Sequence, residues 1–183
     1  MTQSGPLSFD EFKDSNLSDS PHYLVVGHPI SHSLSPLMHN ISLQHHSINA
    51  EYIAVDLSPQ ALPEFIVWLN NENFLGCNIT IPYKKEFLNV PDELSPEVHA
   101  VGAMNTISKI ESGHIIKGSN TDIYGFKVPL DDYENVLDYG RAIIFGSGGA
   151  SLAVQYALME LNFEEVIIVS RSPRTVTPLR ESL

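Results

Sequence analysis

The sequence predicts an α/β protein with a mainly parallel sheet, and three observations lead to this fold class. Short strand-like runs alternate with segments of helical period along the chain, an order typical of parallel sheets covered by helices. A glycine-rich turn near residue 146 separates one such strand from the next helix. The 183 residues are 43% hydrophobic and 17% charged, which suits a packed core and excludes disorder throughout. At roughly 100–200 residues per domain, this length fits one domain with part of a second.

The first elements follow a stretch without clear pattern. Residues 1–20 are polar and acidic and show little period, so we expect a flexible leader there. The first strand is predicted over residues 23–27. Ser35 followed by Pro36 is typical of a helix N-cap and first helical position. One side of the helix that follows is apolar and carries Leu37, Ile41 and Ile48.

The next elements are predicted from the same signals, namely strand-like runs, serine–proline helix starts and proline stops. In chain order they are a strand over 51–55, a helix opening at Ser58-Pro59 and delayed by Pro63, a strand over 75–81 stopped by Pro82, a helix capped at Ser95-Pro96, and a hairpin of 106–110 with 114–117.

The chain as a whole is predicted to have four parts. They are the leader (1–20), a first α/β domain (21–122), an acidic connector (123–140) in which Pro129 must interrupt any helix, and a second unit (141–183). The second unit begins with a buried-type strand over 142–145 and continues through the glycine turn into a helix with strong apolar period. A further strand is predicted at 166–169.

Composition also limits the classes of partner. Ten basic residues against 22 acidic ones give a formal charge of −12, which opposes general binding to nucleic acid or an anionic membrane. Cys77 is the one cysteine, so a disulfide framework is excluded. No apolar run approaches the ~20 residues needed to cross a bilayer, and residues 1–20 lack the pattern of a signal peptide. We therefore expect a soluble, cytoplasmic protein.

The glycine-rich turn is a candidate phosphate site. A strand that runs into a glycine turn and then a helix presents free backbone N–H groups to a phosphate, aided by the helix dipole. The pattern departs mildly from Gly-x-Gly-x-x-Gly, because a small serine holds the third position. A plain tight turn is the alternative. The residues concerned are Gly146, Ser147, Gly148, Gly149, Ala150 and Ser151.

The end of the following strand indicates which dinucleotide the turn would bind. An acidic residue there favours NAD, whereas an arginine suits the additional phosphate of NADP. This chain has Ser170-Arg171-Ser172-Pro173-Arg174 and no acid before Glu181. Arg171 can form paired hydrogen bonds to a phosphate. NADP is therefore the expected cofactor, with an ordinary solvated arginine as the alternative.

Polar side chains on the third strand predict a pocket. Asn78 and Thr80 share one face of that strand, although a parallel strand covered on both faces should be apolar throughout. Lys84 follows the carboxyl end of the strand, where α/β sheets bind their ligands. Two internally satisfied polar residues and a surface lysine are the alternative.

Two further groups could act with this lysine. Ser33 and Ser35 lie at a helix start that could bind a carboxylate, although Ser35 alone is more simply a cap. Asp122, with Thr121, has the pattern of another helix start, and an aspartate close to Lys84 could share in proton transfer. The histidines match no metal-ligand spacing, so no metal site is predicted.

Five motifs in one order resemble those of shikimate dehydrogenase. They are Ser-His-Ser-Leu-Ser-Pro (31–36), Asn-Ile-Thr-Ile-Pro-Tyr-Lys (78–84), Gly-Ala-Met-Asn-Thr (102–106), Asn-Thr-Asp (120–122) and Gly-Ser-Gly-Gly-Ala-Ser (146–151). The likeness runs from about Tyr23 to the last residue. The first four motifs are specific to that family, whereas many dehydrogenases share the fifth.

The resemblance implies a substrate domain at 21–122 and the first part of a Rossmann-type NADP-binding domain at 141–183. It implies reversible, NADPH-dependent reduction of 3-dehydroshikimate to shikimate, in the chorismate route to aromatic amino acids. By the same similarity, the catalytic pair is Lys84 with Asp122. The resemblance assigns the substrate contacts to Ser33, Ser35, Asn78, Thr80 and Asn105. It assigns the pyrophosphate loop to residues Gly146 to Ala150. It assigns the contact with the 2′-phosphate to Arg171, where the family commonly has Asn-Arg-Thr rather than Ser-Arg-Ser.

Two other functions remain open on the sequence. One is a quinate/shikimate dehydrogenase that uses NAD, against which Arg171 without a nearby acid argues. The other is a non-catalytic shikimate-binding chain, since only two of about six strands of a dinucleotide domain are present. The expected partner is a small-molecule substrate, and a homodimer is compatible with the sequence.

Overall fold

The computed structural model describes residues 5–110 and 115–171, which form two sheets and six α-helices. The strands are β1 (Leu7–Ser8), β2 (His22–Gly27), β3 (Glu51–Asp56), β4 (Phe74–Ile79), β5 (Glu93–Leu94), β6 (Thr106–Ile110), β7 (Ile115–Ser119), β8 (Arg141–Phe145) and β9 (Glu165–Val169). The helices are α1 (Phe9–Lys13), α2 (Ser35–His45), α3 (Leu62–Trp68), α4 (Pro96–Val101), α5 (Asp122–Asp131) and α6 (Gly149–Glu160), with a 3-10 turn at Asn16–Asp19.

The larger sheet has seven strands in the order β1-β3-β2-β4-β6-β7-β5, and the smaller one pairs β8 with β9. Strands β1, β3, β2 and β4 are parallel, as are β5 with β7 and β8 with β9. Strands β6 and β7 form an antiparallel hairpin that joins the sheet through β4. The predicted fold class, a mainly parallel α/β sheet with a hairpin, is confirmed; the predicted hairpin turn (111–113) lies outside the described residues.

One face of the large sheet carries the main hydrophobic core. Alternate residues of the central strands point into it, among them Leu24, Val26, Ile53, Val55 and Ile79, each at most 1% exposed. Because parallel strands expose side chains on both faces, the other face needs its own cover. Helix α2 packs there against β3.

The amino-terminal segment differs from the predicted flexible leader. Residues 7–19 form β1, α1 and the 3-10 turn, and β1 adds a parallel edge strand to β3. Phe9 and Phe12 are 2% and 0% exposed and pack against Trp68. Ser8 and Glu11 form a capping box at the start of α1. The sequence-based expectation was wrong here because two buried aromatic rings outweigh a polar composition.

The start of α2 differs from expectation, whereas the start of α3 agrees with the predicted delay by Pro63. Ser35 is the first residue of α2 rather than its N-cap, and its backbone N–H donates to Ser33 Oγ at 3.3 Å. The apolar side of α2 is not buried, since Leu37 and Ile41 are 65% and 60% exposed. Helix α3 begins at Leu62, because Pro63 is accepted only in the first turn.

Helix α5 occupies much of the predicted connector. It runs from Asp122 to Asp131 and includes Pro129. The prediction that Pro129 must interrupt any helix here was therefore wrong. Because Pro129 lacks an N–H, it removes one bond of the last turn, and the helix ends two residues later. Ile123 and Phe126 of α5 pack with Ala153 and Ala157 of α6, which joins the second unit to the first.

Candidate active site

Lys84 and Asp122 form an ion pair between two different elements. Lys84 follows the carboxyl end of β4, and Asp122 is the first residue of α5, 38 positions further along the chain. The ammonium of Lys84 donates to Asp122 Oδ2. The two side chains are 13% and 28% exposed, so the pair is sheltered but reachable from solvent. The structure thus brings together the two residues that the sequence predicted as a pair.

Two asparagines hold the aspartate in place. Asn105 Nδ2 donates to Asp122 Oδ1 at 2.8 Å and to Thr121 Oγ1 at 3.0 Å. Asn120 Oδ1 accepts the backbone N–H of Asp122 at 3.0 Å, while its Nδ2 donates to the carbonyl of Ala103 at 2.9 Å. Both asparagines are buried, at 8% and 7% exposure. The loops 102–106 and 119–122 are therefore locked together beneath the carboxylate.

Asn78 lies on the polar face of β4, as its position in the strand predicts. Its Oδ1 accepts the hydroxyl of Tyr52 at 2.6 Å, and its Nδ2 donates to Thr106 Oγ1 at 3.2 Å. Ile79, the next residue, points into the core on the opposite face. Ile81 lies at the end of the predicted strand (75–81) but is 72% exposed, because β4 ends at Ile79.

Thr80 and the two serines lie at the carboxyl edge of the sheet. The backbone N–H of Thr80 donates to Val26 on the neighbouring strand at 2.9 Å. A Cβ on Gly27 would lie 2.5 Å from Thr80 Cγ2, so only glycine allows the threonine to sit there. Ser33 and Ser35 follow the end of β2, and no described hydrogen bond joins either of them to Lys84 or Asp122.

The glycine turn links β8 to α6. Gly146 has a φ of 120°, a conformation that favours glycine, and a side chain at Gly148 would meet no other atom within 4 Å. Gly148 is the N-cap of α6. Because glycine has no side chain that could cap the helix, the first N–H groups of α6 receive no side-chain cap. A Cβ on Gly149 would lie 3.2 Å from Lys84 Cδ, which places the start of α6 directly against the lysine side chain.

An open cleft of about 710 Å³ borders this turn. Its lining includes Gly146, Ser147 and Gly148 from the turn, and Ser170 with Arg171 from the segment after β9. Arg171 is exposed at the end of β9, in reach of a ligand that enters the cleft. Ala150 and Ser151 belong to the first turn of α6, and Ser151 accepts Gln155 Nε2 at 3.1 Å. Arg174 lies outside the described residues.

The described residues contain neither a cluster of metal ligands nor a membrane-spanning helix. Within residues 5–110 and 115–171, no group of three or more His, Cys, Asp or Glu side chains is placed to hold a metal ion. None of the helices described there has the length and hydropathy of a membrane span. The cytoplasmic location stays a prediction.

Known proteins share both the sequence and this arrangement. A family model described as the shikimate dehydrogenase substrate binding domain matches residues 25–107. A relative from Salinibacter ruber named shikimate dehydrogenase (NADP(+)) is 40% identical over 151 residues, which cover 81% of this chain and 52% of the relative. The chain is thus similar to shikimate dehydrogenases over about four fifths of its own length.

Solved structures of the shikimate dehydrogenase family have the same fold. Shikimate dehydrogenase 1 from Peptoclostridium difficile matches with a TM-score of 0.78 at 27% identity, over 86% of this chain and 58% of that one. Shikimate 5-dehydrogenase from Thermus thermophilus, solved with NADP(H) and shikimate, matches with a TM-score of 0.73 at 34% identity, over 87% and 59%. The chain spans about half the length of the curated shikimate dehydrogenases it matches.

Three residues of the site were missed by sequence reasoning. Tyr52, Thr106 and Asn120 each bond to a predicted site residue through a side chain. Asn120 stood inside a quoted motif without a role of its own. Tyr52 gave no signal, because its partner lies 26 positions away and only the pairing of the strands brings them together.

Proposed function

We propose that this chain supplies the substrate domain and the phosphate-binding turn of an NADP-dependent shikimate dehydrogenase. The reaction is the reversible reduction of 3-dehydroshikimate to shikimate. The observation that carries the proposal is the sheltered Lys84–Asp122 pair with the glycine turn packed against the lysine. In this proposal residues 21–122 bind the substrate, 123–140 connect, and 141–183 begin the NADP domain.

The turn fits a dinucleotide phosphate on physical grounds. The free N–H groups at the start of the twelve-residue helix α6 favour an anion, and the unoccupied space at Gly148 lets a phosphate approach the backbone. Arg171, which also lines the cleft, would add the charge that a 2′-phosphate requires. Gly146 to Ser151, Ser170 and Arg171 would therefore hold NADP(H), with Arg174 as a further contact. When bound, the cofactor would supply the hydride for the carbonyl carbon.

Lys84 and Asp122 would manage the charge and the proton at the substrate oxygen. As the carbonyl carbon gains a hydride, its oxygen becomes negative and takes a proton. The Lys84 ammonium can donate a hydrogen bond to that oxygen and transfer the proton to it. Asp122 would orient the amine, and Asn105 and Asn120 keep the carboxylate aimed at it. In the direction of oxidation the same lysine would accept the hydroxyl proton.

The remaining polar groups would bind the substrate itself. Ser33 and Ser35, at the start of the eleven-residue helix α2, are suited to the substrate carboxylate. Asn78 and Thr80 would contact ring hydroxyls from the end of β4. Asn105 already uses its amide in bonds to Thr121 and Asp122, so its predicted contact with the substrate requires one of these bonds to be exchanged.

The proposal also includes a homodimer, because the apolar side of α2 stays exposed at Leu37, Met38 and Ile41. Light scattering of the purified chain gives the mass in solution. A monomeric mass at all concentrations would remove this part and leave the chemistry unaffected.

Calorimetry and a spectrophotometric assay test the function together. We expect the purified chain to bind shikimate, and NADPH to be consumed faster than NADH when 3-dehydroshikimate is added. Shikimate binding without consumption of either cofactor would favour a non-catalytic binding chain. Preference for NADH would favour the quinate/shikimate class and contradict the role given to Arg171. Absence of shikimate binding would contradict the proposal as a whole.

A further inference from the structure

We infer that Tyr52 is a positioning residue that sets the geometry of the substrate site by fixing the amide of Asn78. This inference rests on the function proposed above and assigns a role to a residue outside the motifs of the site. Tyr52 makes three kinds of contact, to α2, to β4 and, through a chain of hydrogen bonds, to the Lys84–Asp122 pair.

A chain of four hydrogen bonds links Tyr52 to Asp122, and in each bond the donor lies on the Tyr52 side. The Tyr52 hydroxyl donates to Asn78 Oδ1 at 2.6 Å, and Asn78 Nδ2 donates to Thr106 Oγ1 at 3.2 Å. Thr106 Oγ1 then donates to Asn105 Oδ1 at 2.9 Å, and Asn105 Nδ2 donates to Asp122 Oδ1 at 2.8 Å. Such chains polarise their members cooperatively, so the first donor influences the last acceptor.

Tyr52 is itself held in place by helix α2. The backbone of Tyr52 forms two bonds with the Asn40 side chain, each of 2.8 Å. The His39 ring stacks on the phenol ring with 4.2 Å between centroids and 14° between planes. Tyr52 therefore joins the helix that begins at Ser35 to the strand that carries Asn78, the two sides of the proposed substrate site.

Packing alone does not fix the orientation of the Asn78 side-chain amide. A cavity of about 330 Å³ opens beside it, lined by His39, Tyr52, Asn78 and Thr106 among others. With free space on one side, rotation of the amide is prevented by its hydrogen bonds rather than by neighbours. Burial raises the pKa of Tyr52, so its hydroxyl keeps its proton and stays a donor over the whole range of neutral pH.

Tyr52→Phe tests the inference, because it removes the hydroxyl and keeps the ring against His39. We expect the dissociation constant of shikimate, measured by calorimetry, to rise about fivefold, the effect of one hydrogen bond. NADP⁺ affinity should stay unchanged. Tyr83→Phe is the matched control, since Tyr83 is also buried and its hydroxyl, among the described residues, bonds only to the carbonyl of Leu57. This variant should bind shikimate like the wild type.

A second measurement separates positioning from general loss of stability. In ¹⁵N spectra, the side-chain amide protons of Asn78 should exchange faster in Tyr52→Phe and at the wild-type rate in Tyr83→Phe. Thr106→Val breaks the relay one bond further on and should also weaken shikimate binding, so the test survives failure of either variant to fold.

The outcomes distinguish the inference from the proposed function. If the wild type binds shikimate and Tyr52→Phe binds it equally well, the role of Tyr52 is overturned and the proposed function is not. Equal weakening in Tyr52→Phe and Tyr83→Phe, or unchanged exchange at Asn78, also overturns it. A wild-type chain that binds no shikimate overturns the proposed function and this inference with it.

Discussion

The two faces of the seven-stranded sheet are built from alternate residues of the same strands, yet their chemistry differs. One face is a continuous core in which Phe9, Phe12, Phe65 and Trp68 pack edge to face or stacked. The other carries Tyr52, Asn78 and Thr106, joined by hydrogen bonds and covered only in part by α2.

This difference teaches how one strand can serve the fold and the site together. In β4, Cys77 and Ile79 belong to the core, while Asn78 between them faces the polar network. Because successive side chains point to opposite faces, a polar residue at Asn78 does not interrupt the core. Stability and ligand binding should then respond to different substitutions.

Lys84→Ala should give the largest effect, and it concerns the polar side alone. We expect turnover to fall about 10²–10⁴-fold, because general acid–base help is lost, while shikimate binding weakens only modestly. Steady-state assays and calorimetry check the two quantities. Lys85→Ala, at the exposed neighbouring lysine, is the control. Turnover within about tenfold of the wild type would remove Lys84 from the mechanism.

Phe12→Ala should affect the core face and leave the site intact. Phe12 is fully buried, so the free energy of unfolding should fall by about 3–5 kcal/mol in denaturant titrations. Val67→Ala, at an exposed position of α3, should change it by no more than about 0.5 kcal/mol. A small effect at Phe12 would mean that the amino-terminal segment adds little to the core.

The buried His22 should make stability depend on pH. Burial among Phe12, Trp68 and Phe74 lowers the pKa of His22 from 6.5, and Lys109 lowers it further. The unfolded chain therefore binds more protons below about pH 6.5, so the free energy of unfolding should fall as the pH drops through that value.

His22→Phe should remove this part of the pH dependence in denaturant titrations at several pH values. His46→Ala, at an exposed histidine, should keep it. The same slope in the wild type and in His22→Phe would show that another group is responsible.

Much of the fold could be predicted from the sequence, since strand alternation and serine–proline helix starts are local signals. The order β2, β3, β4 and the α6 turn followed from them. The role of residues 7–19 did not, although the Ser8–Glu11 capping box and the pair Phe9 and Phe12 were visible locally. Their burial depends on Trp68 and β3, which are distant in sequence.

The site divides in the same way. Lys84 and Asp122 were found through motifs, and the structure brings them into contact. Tyr52 and Thr106 were missed because their roles come from the pairing of β3, β2, β4 and β6, which places side chains 26 and 28 positions from Asn78 beside it. Nothing in a single strand records such neighbours.

The close approach of Gly149 to Lys84 has a consequence for how the two halves can vary. Gly149, in the first turn of α6, presents only a hydrogen atom to the methylene groups of Lys84. A methyl group on Gly149 would lie 3.2–3.3 Å from them. An alanine at this position would require the Lys84 side chain to shift by a few tenths of an ångström. Any reshaping of the loop that precedes α6 is thus limited by the position of the Lys84 side chain, and in the proposed function the two halves would have to change together.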